Sequence, residues 1–147
     1  MTLYAFTDGA SRGNPGESGI GIIVKNGNNE VLFSLNGYIG TTTNNVAEYR
    51  ALLTLLERIA GFSCTHLIVH SDSELMVRQV NRQYKVRDRK LRKYYDRVVA
   101  AIASLPFTVE LKHIPREENR DADKLANLGI DAGTERMLRD PEAIRPL

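Results

Sequence analysis

The 147-residue chain contains a single cysteine, no tryptophan and only five prolines, and it has no long apolar run. The lone Cys64 excludes an internal disulfide, and the lack of a long apolar run argues against a membrane-spanning helix. The first residues also lack the charged and then apolar pattern of a secretory signal peptide. Since 42% of the residues are hydrophobic, we expect one compact cytoplasmic domain with a proper core.

Hydrophobic periodicity predicts an α/β fold. Alternating residues predict five strands, at residues 2–8, 18–25, 30–39, 66–72 and 107–114. The helical period predicts four helices, at residues 44–61, 73–81, 88–104 and 119–133. This order favours one mixed sheet, in which a three-strand antiparallel meander joins two parallel strands, flanked by helices. We expect the domain to cover 1–133 and a loosely held tail to occupy 134–147.

Two aspartates stand at the ends of strands that we expect to be neighbours. Asp8 ends the first predicted strand, and Asp72 ends the fourth. A right-handed crossover through helix 44–61 would place these strands side by side and parallel, so that their carboxyl ends meet. Each aspartate also has an ordinary structural explanation, because Asp8 precedes a glycine turn and Asp72 could cap the next helix.

Two further acids lie near the beginnings of helices. Glu48 shares a helix face with three apolar residues that should pack on the sheet, Leu52, Leu55 and Ile59. A buried carboxylate is costly unless it is protonated, paired with a cation or bound to a metal. Asp123 lies in the first turn of the last helix. For both acids, a favourable interaction with the helix dipole is the alternative explanation.

The predicted topology brings these four carboxylates toward one edge of the sheet. Like charges in such proximity repel one another unless cations lie between them. Oxygen ligands without a Cys/His cluster favour a hard ion, Mg²⁺ or its substitute Mn²⁺, over structural zinc. Two such ions would suit the hydrolysis of a phosphodiester, in which a water must be activated and the leaving oxygen stabilised.

The chain resembles ribonuclease H of the first type in four ordered segments, FTDGASRGNPGESGIG, TTTNNVAEYRAL, VHSDSELMV and IPREENRDADKLAN. The resemblance spans about residues 4–127. It implies metal-dependent endonucleolytic cleavage of the RNA strand of an RNA–DNA hybrid, leaving 3′-hydroxyl and 5′-phosphate ends. It also implies a catalytic domain over 1–133 that holds two metal ions through Asp8, Glu48, Asp72 and Asp123. We expect a monomer.

The same resemblance assigns six residues beside the proposed metals to nucleic-acid binding. Four would contact the RNA strand, namely Gly9, Ser11, Asn44 and Asn45. Two would help to seat a phosphate of the DNA strand, namely Asn14 and Thr43. Distinguishing RNA from DNA requires contact with the 2′-hydroxyl group. The structural alternative for the TTTNN segment is a polar loop with a helix cap.

A basic segment, residues 78–97, holds nine Lys or Arg residues against two Asp residues, a net charge of +7 that the chain's overall +2 conceals. Three tyrosines are interleaved with these cations. Such a segment suits salt-sensitive binding to backbone phosphates without sequence preference. The alternative is a solvated helical face whose tyrosines pack on the sheet.

The chain departs from better-known bacterial members of the family in three places. The stretch between Asp72 and the last strand is too short for their additional basic helix and tryptophan-rich loop, which predicts a short form. Glu74 occupies a position where many members have a glutamine that touches RNA. By spacing, His113 matches a histidine that assists product release, yet it ends a strand here, and Arg116 could perform the electrostatic part of that role.

Other functions fit these residues less well. A transposase or integrase core usually carries long flanking domains. A hybrid-binding module without cleavage would not need all four acids, and a small-molecule phosphatase would not need both TTTNN and the basic segment. A Ser/His/Asp hydrolase built from His70, Ser71 and Asp72 fails, because adjacent strand residues point to opposite faces.

Overall fold

The computed structural model describes residues 1–139. This part of the chain forms five strands and four α-helices, together with a short 3₁₀ turn at Arg116–Glu118. In chain order they are β1 (Thr2–Arg12), β2 (Gly16–Lys25), β3 (Val31–Thr42), α1 (Asn44–Ile59), β4 (His66–Ser71), α2 (Glu74–Val80), α3 (Arg89–Ser104), β5 (Thr108–His113) and α4 (Arg120–Arg139). No helix among these residues is long and apolar enough to cross a membrane.

The five strands form one mixed sheet in the order β3-β2-β1-β4-β5. Strand β2 pairs antiparallel with both β1 and β3, whereas β4 pairs parallel with both β1 and β5. The prediction of a three-strand meander joined to two parallel strands is therefore confirmed. The crossover through α1 places the carboxyl end of β4 beside the middle of β1, at the pair Thr7 and Ser71.

Helix α1 packs on one face of the sheet through its apolar stripe. Its buried residues join a core cluster with inward-facing residues of the central strands, including Leu3, Ala5, Ile22, Leu67 and Val69. The helix begins after Thr43, whose hydroxyl accepts a hydrogen bond from the N–H of Val46. It ends at Ile59, slightly before the predicted end at Gly61.

Helix α4 packs on β1, β2 and β3, on the sheet face opposite α1. Glycines remove the side chains that would separate the helix from the strands. A Cβ atom at Gly21 would overlap the carbonyl oxygen of Ala122, and one at Gly129 would lie 2.5 Å from the carbonyl oxygen of Gly37. The close approach fixes the height of α4, and of Asp123 in its first turn, above the sheet.

Two of the predicted boundaries differ most from the structure. Strand β1 does not end at Asp8 but continues to Arg12, because the segment that follows still pairs antiparallel with β2. Helix α4 runs past Gly133 to Arg139, so residues 134–139 of the predicted tail are helical, and 140–147 lie outside the described residues. Gly133 is a packing position rather than a helix end, since a Cβ atom there would overlap the ring of Tyr38. The domain boundary at 133 stays a prediction.

Helices α2 and α3 are joined by residues 81–88 without a further helix. Asp88 caps α3 by accepting hydrogen bonds from the N–H groups of Lys90 and Leu91. This short connection agrees with the prediction of a form that lacks the additional basic helix.

Candidate active site

Three carboxylates meet where the parallel pairing of β1 and β4 ends. Asp8 lies on β1, Glu48 on the first turns of α1 and Asp72 directly after β4. One carboxylate oxygen from each of the three lies within 4.8 Å of those of the other two. Asp8 and Glu48 are buried and Asp72 is half-buried, so the cluster is held by packed elements rather than by a surface loop.

Glu48 is oriented by the backbone of the neighbouring strand. Its Oε1 accepts a hydrogen bond of 2.7 Å from the N–H of Gly9. Gly9 permits this approach because a Cβ atom there would overlap the backbone of Ala47 and Glu48. The N–H of Gly9 is thus engaged by Glu48, and the contact of Gly9 with the RNA strand stays a prediction.

Asp72 does not cap the following helix. Ser73 is the N-cap of α2, where its hydroxyl accepts a hydrogen bond from the N–H of Met76. The ordinary structural explanation for Asp72 therefore fails, and its side chain lines the same cleft as Asp8 and Glu48.

Burial and mutual repulsion make these carboxylates unusually basic. Burial raises the pKa of Asp8 strongly, and the negative charges of Glu48 and Asp72 raise it further. Burial also raises the pKa of Glu48, and the charge of Asp72 adds to that effect, while the N–H of Gly9 opposes it. The pKa of Asp72 is raised by burial, against the opposing effects of Asn119 and Arg116. A cation among the three would relieve this repulsion.

Asp123 stands on the wall of the cleft, outside the cluster of three. It lies in the first turn of α4 and lines the cleft with the other acids. Its charge contributes to the raised pKa of Asp8. The Nδ2 group of Asn127 donates a hydrogen bond of 3.0 Å to the carbonyl oxygen of Asp123. The sequence grouped four acids together, and the structure brings three of them into direct proximity.

The residues predicted to contact nucleic acid lie around the acids, some of them in the cleft and others outside its lining. Ser11 and Asn44 line the cleft, which has a volume of about 350 Å³. Asn45 is exposed at the start of α1. Asn14 accepts a hydrogen bond of 3.0 Å from the N–H of Asn44, and Thr43 caps α1. These last two residues therefore also fix the local backbone.

Of the two residues considered for assistance in turnover, only Arg116 lines the cleft. His113 is exposed at the end of β5. Both positive groups oppose the rise in the pKa of Asp72, with Arg116 contributing more than His113. Glu74, which replaces the expected glutamine, pairs on the surface with Arg78 at 3.3 Å.

Asn119 is a site residue that the sequence patterns did not reveal. It was expected only to cap the last helix, yet its side chain is 2% exposed and donates a hydrogen bond of 2.9 Å to the carbonyl oxygen of Thr7. The side chain of Asn119 also lowers the pKa of Asp72. Asn119 thus links the beginning of α4 to β1 beside the acidic cluster. An asparagine between charged neighbours carries no periodic signal for burial.

Fold and site together define a domain of the reverse transcriptase-like class, and the family model of that description matches residues 6–129. The relative "Ribonuclease H" of Alkalilimnicola ehrlichii is 33% identical over 140 residues, covering 88% of this chain and 94% of the relative. The chain belongs to the ribonuclease H family, as a member of the first type, which confirms the resemblance seen in the four segments.

Two further comparisons agree with this assignment. "Bifunctional protein Rv2228c" of Mycobacterium tuberculosis is 38% identical over 143 residues, which cover 97% of this chain but only 39% of that longer relative. The crystal structure of LC11-RNase H1 in complex with an RNA/DNA hybrid superposes with a TM-score of 0.86 at 37% identity, over 90% of this chain and 99% of that one.

Proposed function

We propose that this protein is a metal-dependent endonuclease that hydrolyses the RNA strand of RNA–DNA hybrids and leaves 5′-phosphate and 3′-hydroxyl ends. The observation that carries the proposal is the cluster of Asp8, Glu48 and Asp72, whose oxygens lie within 4.8 Å of one another in an open cleft. Relatives named ribonuclease H, and a similar structure in complex with an RNA/DNA hybrid, support the choice of substrate.

The donor set fits hard divalent cations. Three converging carboxylates with raised pKa values call for positive charge, and oxygen ligands select Mg²⁺ or Mn²⁺. Asp8, Glu48 and Asp72 would hold the metal, and Asp123 on the cleft wall would contribute to a second ion. Two bound ions supply the activation of a water and the stabilisation of the leaving oxygen.

The protein's own groups position the carboxylates and the substrate. The N–H of Gly9 fixes one oxygen of Glu48 and leaves its other oxygen for a ligand. Ser11, Asn44 and Asn45 would contact the RNA strand, together with Gly9, which lines the cleft with Ser11 and Asn44. Their amide and hydroxyl groups suit the 2′-hydroxyl, which is both donor and acceptor.

The DNA strand would be seated beside this row. Asn14 lies in the turn between β1 and β2, and Thr43 lies at the N-terminus of α1. Backbone N–H groups at a helix N-terminus favour the binding of a phosphate. We assign assistance in product release to His113, and Arg116 would supply positive charge at the cleft wall. A cytoplasmic location and a monomeric state belong to the same proposal, and cell fractionation and sedimentation would test them.

The proposal is tested with a hybrid that carries a distinct label on each strand. The wild-type protein with Mg²⁺ should cut only the RNA strand, and EDTA should abolish cutting. Asp8→Asn should bind the uncut hybrid but not cleave it. Glu110→Gln is the matched control, because it removes one exposed carboxylate outside the cleft and should cut like the wild type. Binding of the hybrid by the wild type without any cutting in Mg²⁺ or Mn²⁺ would replace the enzyme with a hybrid-binding module.

A further inference from the structure

The cations of the basic segment 78–97 divide between two surfaces. Arg92 and Tyr95 face a cleft formed with the connection between α2 and α3. The neighbouring side chains of Lys93, Tyr94 and Arg97 instead face α1. The segment is therefore not one solvated helix face, and its second surface is shared with a different helix.

That second surface is a groove between α1 and α3, with a volume of about 520 Å³. Two cations stand on each wall, Arg50 and Arg58 on α1 and Lys93 and Arg97 on α3. The lining contains one carboxylate, Glu57. Within residues 1–139, none of the four cations forms an ion pair. The groove, which we call the α1–α3 groove, therefore carries a net positive charge, with four cations against one carboxylate.

The α1–α3 groove is separate from the acidic cleft. Glu48 is buried on the side of α1 that faces the sheet. Arg50 and Arg58 lie on another side of the same helix, partly or fully exposed. The two regions share no lining residue, so the groove is a surface apart from the cluster of carboxylates.

We propose that the α1–α3 groove binds single-stranded nucleic acid. Arg50 and Arg58 are eight residues apart, which spans about 12 Å of helix at about 1.5 Å per residue. A strand carries a charge about every 3.4 Å when it is stacked in a duplex and at wider spacing when it is extended, so at least two successive phosphates would face the cations of both walls. A single small anion would leave most of these cations without a partner.

The shape of the groove and one aromatic residue select a single strand. The axes of packed helices lie about 8–10 Å apart, so the groove along the surface of the packed helices α1 and α3 is narrower than a duplex and would take a single strand. Tyr94 stands half-buried on the wall, among the cations. A positive groove with an aromatic platform is the usual arrangement for binding single strands, because every base can stack.

The neighbouring surface favours nucleic acid over an acidic polypeptide. Arg92, which is paired with Asp96 at 3.1 Å, opens into the neighbouring cleft, where Arg82, Lys85 and Arg87 add further cations, so positive charge continues from the groove around the helix. This surface would hold an unpaired strand that extends beyond a bound hybrid. The inference rests on the proposed function only for the source of that strand, since binding in the groove needs no cleavage.

The test measures binding by fluorescence anisotropy in EDTA, with labelled oligothymidylate, a blunt hybrid and a hybrid with a single-stranded extension. The variant Arg58→Gln/Arg97→Gln removes one exposed cation from each wall. The matched control Lys25→Gln/Lys112→Gln removes two cations that do not line the groove. Neither pair should alter folding, which circular dichroism would verify, and neither pair should alter cleavage of the blunt hybrid in Mg²⁺.

We expect the wild type to bind the extended hybrid more tightly than the blunt one. The groove variant should lose this preference. The slope of log K against log salt concentration for oligothymidylate should decrease in magnitude by about 1.4, because each phosphate contact to a single strand contributes about 0.7 and the variant removes two. The control should keep both. An unchanged slope and preference in the groove variant would overturn the proposal.

The remaining outcome is that the groove binds an acidic polypeptide instead of a nucleic acid. Polyglutamate that binds through Arg58 and Arg97, without any such binding of oligothymidylate, would assign the groove to a protein partner and overturn the proposal. A wild type that fails to cut the hybrid but binds oligothymidylate through the groove would remove the proposed function and leave this inference standing.

Discussion

The N–H of Gly9 on β1 and the carboxylate of Glu48 on α1 are joined by a hydrogen bond of 2.7 Å in the buried interior. Gly9 directly follows Asp8, so the strand that carries one member of the acidic cluster also orients another. The spacing of these two carboxylates is therefore set by backbone packing between β1 and α1.

Replacing Gly9 with alanine should damage both stability and activity. The new Cβ atom would overlap the backbone of α1 at Ala47 and Glu48, so the helix must move away from the strand. We expect a loss of about 1–3 kcal/mol in the free energy of unfolding, which is typical of an overpacked interior. Gly27→Ala is the matched control, because a Cβ atom there meets nothing within 4 Å. Equal denaturation midpoints for the two variants would contradict the packing role of Gly9.

Replacing Asn119 with alanine should destabilise the protein by about 1–3 kcal/mol, because the buried carbonyl of Thr7 would lose its donor. The hydrogen bond spans 112 residues of sequence, so its loss should also loosen the start of α4 beside Asp72. Urea denaturation measures the first effect. Asn28→Ala, an exposed position in the turn between β2 and β3, should stay within about 0.5 kcal/mol of the wild type.

The metal-free protein should become less stable as the pH rises from about 5 to about 8. Asp8 and Glu48 have raised pKa values in the folded state, so the folded protein holds protons that the unfolded chain has released, and stability falls with pH. Asp8→Asn should flatten this dependence of the melting temperature, whereas Glu110→Gln should preserve it. A metal-free wild type whose stability rises over this range would show that the carboxylates are ionised without metal.

Added Mg²⁺ should reverse that loss. A ligand of the folded state at about 100 times its dissociation constant contributes about 2.7 kcal/mol, and the gain should be larger at about pH 8 than at about pH 5, where protons compete for the same oxygens. Calorimetric scans with and without Mg²⁺ at each pH measure this gain in stability. In Asp8→Asn the gain should largely disappear, and a full gain in that variant would place the ion elsewhere.

His113 and Arg116 should affect different stages of the reaction. Arg116 lines the cleft and His113 does not, so Arg116→Ala should lower the single-turnover rate by about a hundredfold, the lower end of the loss when a charge-stabilising group is removed. His113→Ala should lower kcat in the steady state and leave the single-turnover rate unchanged. Lys112→Ala, beside His113 on β5, serves as the control. A reduced single-turnover rate in His113→Ala would place that histidine in the chemical step.

Periodic patterns were sufficient to predict the five strands, the four helices and the mixed sheet, because burial repeats every two residues in a strand and about every 3.6 in a helix. The position of Glu48 on the buried face of α1 followed from the same rule. The convergence of Asp8, Glu48 and Asp72 followed from the handedness of the crossover.

Contacts that depend on the absence of a side chain could not be predicted in this way. The glycines of the GASRG stretch suggested that β1 turns after Asp8, but Gly9 allows the strand to continue beneath α1. Gly133 suggested the end of the last helix, but it accommodates the ring of Tyr38. A glycine that permits a bend and a glycine that permits close packing look alike until the partner element is known.

The hydrogen bond from Asn119 to the carbonyl oxygen of Thr7 joins residues that are 112 positions apart in the sequence. The acids of the cleft likewise come from β1, α1, the end of β4 and α4. No fragment shorter than residues 8–123 contains the set. The proposed metal site is consequently complete only when β1, α1, the end of β4 and α4 have packed together. Metal binding followed during refolding should therefore report the formation of these long-range contacts.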